Sequence, residues 1–203
     1  PSEYKQAFSG QGMNLVATHS SYFTAAEAPK MIDAAKTAGV EYLVIPYTPG
    51  DLRETLDGYK SVAANFNAIG EQCKAAGLKF GYHNHAFEFD MMEGRVPLEV
   101  LIEETDKSLV DFEADLFWVN KGGYNPVKLI KKYPGRISMF HVKDATKETD
   151  EATVGEGVIN FKSIFKAGKK DTLKYYFIED ERTDNPFGNI KADFDYIAAQ
   201  KFA

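Results

Sequence analysis

The sequence predicts an α/β chain of the TIM (β/α)8 type, a parallel barrel that lacks its first β-α-β portion. Three observations carry this. Six short runs rich in aromatic and β-branched residues alternate with amphipathic stretches. Successive runs start between 27 and 38 residues apart, the spacing of right-handed βαβ units. No glycine-rich phosphate loop follows the first run, as an open doubly wound sheet would want; ATHSSYF stands there instead. At 203 residues the chain reads as one partial barrel domain, 1–203, since a full barrel takes about 250 residues.

In chain order, Ser2–Ser9 reads as a helix with Ser2 as N-cap, closed by Gly10 and Gly12, so a strand is expected upstream of it. The β-type runs are Asn14–Ser20, Tyr42–Tyr47, Lys79–His85, Val110–Val119, Ile137–Lys143 and Tyr175–Asp180. Helices are expected over Ala25–Ala38, Asp51–Ala76, Pro97–Thr105, Pro126–Tyr133, Phe161–Lys166 and Phe187–Gln200. Gly39 and Gly77 stand where a helix C-terminus takes a left-handed residue.

Composition narrows the function classes. A formal net charge of −6 without a basic block argues against a phosphate-backbone binder, so no nucleic-acid partner is expected. No apolar run reaches the length of a membrane span and no signal-peptide pattern opens the chain. Location is left open between cytoplasm and, for a longer exported precursor, periplasm. The single cysteine, Cys73, excludes an internal disulfide framework and reads as a small apolar residue of a helix. Self-association into a homo-oligomer is left open.

The four histidines, His19, His83, His85 and His141, all fall at the C-terminal ends of predicted strands, the edge where parallel α/β architectures build sites. On the fourth run Asp111, Glu113 and Asp115 share one parity, and Val110, Phe112, Ala114 and Leu116 the other. Barrel strands are apolar on both faces, so these carboxylates need a reason. Asp115 at the strand end suits a metal, and Glu113, a step deeper, suits a cation; a solvated edge strand is the plain alternative. His141 and Lys143 share a face on the fifth run, as do Glu179 and Glu181 on the sixth. Together His83, His85, Glu88, Asp115, His141 and Glu179 form a mixed nitrogen and oxygen set. It suits Mn²⁺, Co²⁺, Mg²⁺ or Zn²⁺ and not a thiolate-loving ion. Singly, each has an ordinary reading, such as a histidine bonded to a strand-end carbonyl or a glutamate paired with Arg182.

The motifs YHNHAFEF (Tyr82–Phe89), EADLFWV (Glu113–Val119), FHVKD (Phe140–Asp144), VGEGVINF (Val154–Phe161) and YFIED (Tyr176–Asp180) resemble the sugar phosphate isomerase/epimerase family of the xylose isomerase-like TIM barrel superfamily. The resemblance runs from about Asn14 to the C-terminus. It implies one divalent metal ion held by a carboxylate, then Asp115, His141 and Glu179. For the first ligand, His83 stands where relatives carry the glutamate of a Glu-Asn-His strand end. Glu88 is the candidate in its place if the strand ends near Ala86 and turns, with His83 as the substitute.

The implied activity is isomerisation or epimerisation of a small sugar by proton abstraction next to a carbonyl, through a metal-stabilised enediolate. Glu179 is the candidate base, and Lys143 and His85 are the candidate catalytic partners. His19, His83, Trp118 with Phe87, and Glu156 on a loop are candidate substrate contacts. A phosphate group is disfavoured, because only Lys121, Lys143 and Arg182 stand near strand ends. A lyase or dehydratase acting on a keto-sugar or keto-inositol shares the first step, and a non-catalytic sugar-binding relic remains a further alternative. An abasic-site endonuclease gathers more histidine ligands than the four present.

Overall fold

Residues 1–200 are described here from a computed structural model. They form two compact units, one of Pro1–His83 with Met91–Asp111, the other of Asn84–Asp90 with Phe112 onward.

The first unit runs α1 (Ser2–Ser9), β1 (Ala17–His19), α2 (Ala28–Ala38), β2 (Tyr42–Ile45), α3 (Leu56–Ala75), β3 (Lys79–His83) and α4 (Pro97–Glu104). Its three strands are parallel, with β2 between β1 and β3; Ala17 pairs with Tyr42, and Tyr42 with Lys79. Pro1, not Ser2, stands at the cap of α1, and no side chain caps that helix. β1 is shorter than the Asn14–Ser20 run. α3 starts five residues later than expected because Thr55 caps it, its hydroxyl accepting from Gly58 N at 3.1 Å. Gly39 ends α2 with φ +77°, as its position predicts. The core is aromatic: Phe66 of α3 packs against Phe80 at 5.4 Å and Tyr82 at 5.1 Å. Cys73 is a free, buried thiol that burial pushes up to about 11.

The second unit takes β4 (Val110–Asp115) from Phe112 on and then runs α5 (Leu116–Lys121), α6 (Pro126–Lys132), β5 (Ile137–Val142), β6 (Asp144–Ala145), β7 (Glu151–Ala152), α7 (Phe161–Lys169), β8 (Tyr175–Ile178) and α8 (Pro186–Gln200). β4, β5 and β8 are parallel neighbours in that order, while β6 and β7 form a short antiparallel pair. Every residue of β5 is buried, as a parallel strand covered on both faces requires. The Val110–Val119 run splits into strand and helix at Asp115. Its Oδ1 accepts the amide hydrogen of Trp118 at 2.9 Å and so starts α5. Asn125 and Asn160 cap α6 and α7 in the same way.

Six parallel strands alternating with helices bear out the fold class, a TIM-type (β/α) barrel represented in part. No described helix is long and apolar enough to cross a membrane.

Candidate metal centre

A register shift builds the site. β4 and β5 pair as Phe112 with Ile137, then Glu113 with Met139 and Asp115 with His141, so Ser138 is skipped. Had the first pairing continued, Asp115 would lie beside Phe140 and His141 would face the other way, since one residue of slip reverses a strand's faces. On the far side of β5, His141 pairs with Phe177, and Glu179 N donates to Val142 O at 3.2 Å. By alternation one face therefore carries Glu113, Asp115, His141, Lys143 and Glu179.

Asp115, His141 and Glu179 each place one ligand atom within 4.8 Å of the others. His141 Nδ1 lies 2.8 Å from Glu179 Oε2 and 4.0 Å from Asp115 Oδ2, and Nε2 lies 3.3 Å from Glu113 Oε2. Asp115 is fully buried, and its Oδ2 has no hydrogen-bond partner. A sealed carboxylate oxygen without a donor carries a large desolvation cost when ionised, and burial pushes Asp115 up to about 7 against the opposing charge of His141. Burial alone would lower the His141 pKa; the hydrogen bonds the ring donates to Glu113 and Glu179 outweigh it and carry the ring up to about 10. Three carboxylates around one imidazole, with an oxygen lacking a donor, fit a divalent cation held by Asp115 Oδ2, His141 Nδ1 and Glu179 Oε2.

Beside this group, Lys143 is 1% exposed and its Nζ donates to Glu181 Oε2 at 2.6 Å, with Glu179 Oε2 at 3.7 Å. Burial opposes its charge, but those two carboxylates keep its pKa raised. Its ammonium also lies 5.4 Å from the Phe117 ring and 5.9 Å from the Trp118 ring. His85 stacks on Phe87 at 5.8 Å and meets Trp118 at 5.3 Å, so these three form one aromatic wall.

Each of the other sequence candidates has its own setting. The chain does turn after β3, and Glu88 sits in a short 3₁₀ turn, Phe87–Phe89, completely buried. Its Oε2 accepts from His85 N at 2.8 Å, and it stands outside the group of three. Glu156 is exposed in a turn. His19 and His83 belong to the first unit, where their rings pack edge to face at 5.0 Å.

Two aspartates escaped the sequence reading. Asp144 is buried and accepts from the amides of Ala145, Gly155, Gly157 and Ile159, which ties down the segment carrying Glu156. Asp193 of α8 accepts from Val154 N at 2.7 Å, and burial pushes it up to about 6 despite that bond. The signal for Asp144 was its place just after β5 and before VGEGV; Asp193 gave none.

The chain is 25% identical over 149 residues, 64% of its length, to inosose dehydratase of Clostridium perfringens, and covers 50% of that enzyme. It thus spans about half the length of the curated relatives it matches. Among solved structures, a sugar phosphate isomerase/epimerase from Parabacteroides distasonis superposes with a TM-score of 0.83 at 28% identity, over 98% of this chain and 76% of that one. The IOLI protein, solved with a zinc atom, superposes with a TM-score of 0.76 at 16% identity over 98% of this chain and 80% of its own, a likeness of fold alone. The model of one family matches residues 3–200, and the chain belongs to that family, the xylose isomerase-like TIM barrels.

Proposed function

We propose that this chain carries the metal site of an enzyme that removes a proton next to the carbonyl of a small, unphosphorylated sugar or sugar-like hydroxy-ketone. Isomerisation or epimerisation is the outcome we favour. The observation that carries the proposal is the Asp115–His141–Glu179 group with its sealed, donor-less Asp115 oxygen. The zinc of the IOLI protein supports a divalent cation in the same fold, of the Mn²⁺, Co²⁺, Mg²⁺ or Zn²⁺ class. One family model spanning 3–200 supports reading 1–203 as a single partial barrel domain.

When bound, the cation would supply a Lewis acid for the negative charge that develops on the substrate oxygens. Asp115, fully buried, holds and does not move protons. Glu179 is about one-third exposed, so its carboxylate is the one a substrate C–H can reach, and it acts as the base. Lys143 keeps its proton and donates to the oxygen on which charge collects. The wall of Phe87, His85 and Trp118 takes the apolar face of the ring, with the His85 imidazole as a candidate proton carrier. Glu88 holds His85 by accepting from its backbone amide, and we keep Glu88 as the candidate fourth ligand, with His83 as its substitute. His19 and Glu156 are kept as substrate contacts.

Dehydration is the second reading, favoured by the inosose dehydratase relatives. It shares the Glu179 step and then needs an acid for the departing hydroxyl, a role for His85. Metal-replete protein incubated with keto-sugars and inososes in D2O decides between them. Exchange of the C–H next to the carbonyl without mass loss marks an isomerase or epimerase, and loss of water marks a dehydratase. E179Q should reduce exchange by about 10²–10⁴-fold with an unchanged circular dichroism spectrum. Wild-type protein that exchanges no substrate rejects the proposal.

A further inference from the structure

His141 has two ring nitrogens, and the structure gives them different partners. Nδ1 faces Glu179 and Asp115, at 2.8 and 4.0 Å. Nε2 lies 3.3 Å from Glu113 Oε2. Glu113 is 1% exposed and lies two residues before Asp115 on the same strand face. The register shift that puts Asp115 beside His141 also sets Glu113 diagonally behind the ring, beside Met139.

We infer that Glu113 is a positioning residue which fixes the Nε2–H tautomer of His141 and so presents the Nδ1 lone pair to the cation. This rests on the metal-site reading above. An ionised carboxylate only accepts hydrogen bonds, so a neutral His141 beside Glu113 carries its hydrogen on Nε2. The opposite tautomer would set two acceptors, Nε2 and the carboxylate, against each other in a buried place, and would leave a hydrogen on the nitrogen the cation needs. Glu113 is not itself a ligand of that cation, because its carboxylate approaches the ring from the nitrogen opposite the one facing Asp115 and Glu179. Its role is thus distinct from theirs, although it looks like a third acid ligand on the same face. Carboxylates that hold a ligand histidine in this way typically change metal affinity by about 10–100-fold when removed.

The test is Zn²⁺ binding by competition titration, with long-range ¹⁵N–¹H NMR of His141 in the Zn²⁺-loaded wild type. The expected spectrum shows Nδ1 bound to metal and Nε2 carrying hydrogen; ligation through Nε2 would overturn the inference whether or not any variant folds. E113M, apolar and of similar volume, should weaken Zn²⁺ binding by about 10–100-fold, and E113Q, whose amide oxygen still accepts from Nε2–H, by less. E113M with wild-type affinity, while H141A loses the metal, overturns the role of Glu113 and leaves the metal site standing. Zn²⁺ affinity unchanged by H141A overturns the metal-site reading, and the inference with it.

Discussion

At the scale of single residues, Asp115 ends β4, starts α5 through Oδ1 and offers Oδ2 to a ligand. These roles separate on substitution. Asn caps a helix about as well as Asp, so D115N should leave the melting temperature of metal-free protein nearly unchanged. It should abolish the stabilisation that Zn²⁺ gives the wild type, about 2.7 kcal/mol at a hundred times Kd. Thermal melts with and without excess Zn²⁺ measure both effects. His141 gives a pH prediction for the metal-free protein. Its pKa is raised from an ordinary value near 6.5 to about 10, so above the lower value the folded state holds a proton that the unfolded state has released. Its stabilisation is complete below pH about 6.5 and is lost as pH rises through about 10. Urea unfolding across that window should show a falling free energy, with a smaller slope in H141Q.

At the scale of elements, the segment from β6 to α7 hangs on Asp144. Four backbone amides converge on one buried carboxylate, and a Cβ at Gly157 would come within 2.3 Å of its Oδ1. D144A leaves those donors without their acceptor, at about 1–3 kcal/mol for each buried group and less than additively. The expected result is a loss of about 3 kcal/mol or more and faster proteolysis between residues 145 and 159, read by urea unfolding and limited trypsin digestion. Asp193 and Arg182 hold the same segment from its other side, through Val154 N and Thr153 Oγ1. Glu156 owes its position to these anchors and not to contacts of its own side chain.

At the scale of the whole molecule, stability rests on aromatic and aliphatic cores under each set of parallel strands. Phe66 is fully buried among Tyr22, Phe80 and Tyr82, so F66A should cost about 3–5 kcal/mol in urea unfolding while leaving the Zn²⁺ affinity of the second unit within a few-fold of wild type.

Much of this architecture was legible in the residues. Strand and helix alternation shows as local periodicity, and Gly39 marks the end of α2, whereas the Thr55 cap sets α3 five residues later than its pattern suggests. The parity of Glu113 with Asp115, and of His141 with Lys143, follows from pleating alone. Strand ends were less legible: Val110–Val119 reads as one apolar run because β and α segments buried on all sides look alike, and only the Asp115 cap divides it.

By itself the sequence determined the alternation of elements and which residues share a strand face, because side-chain alternation depends on neighbours along the chain. Tertiary structure alone decided that Asp115, His141 and Glu179 share one group while Glu88 bonds to the amide of His85. That outcome depends on the step past Ser138 between β4 and β5, and on the pairing of His141 with Phe177. Register between strands is fixed by packing and hydrogen bonds between segments far apart in the chain, and no local pattern encodes it.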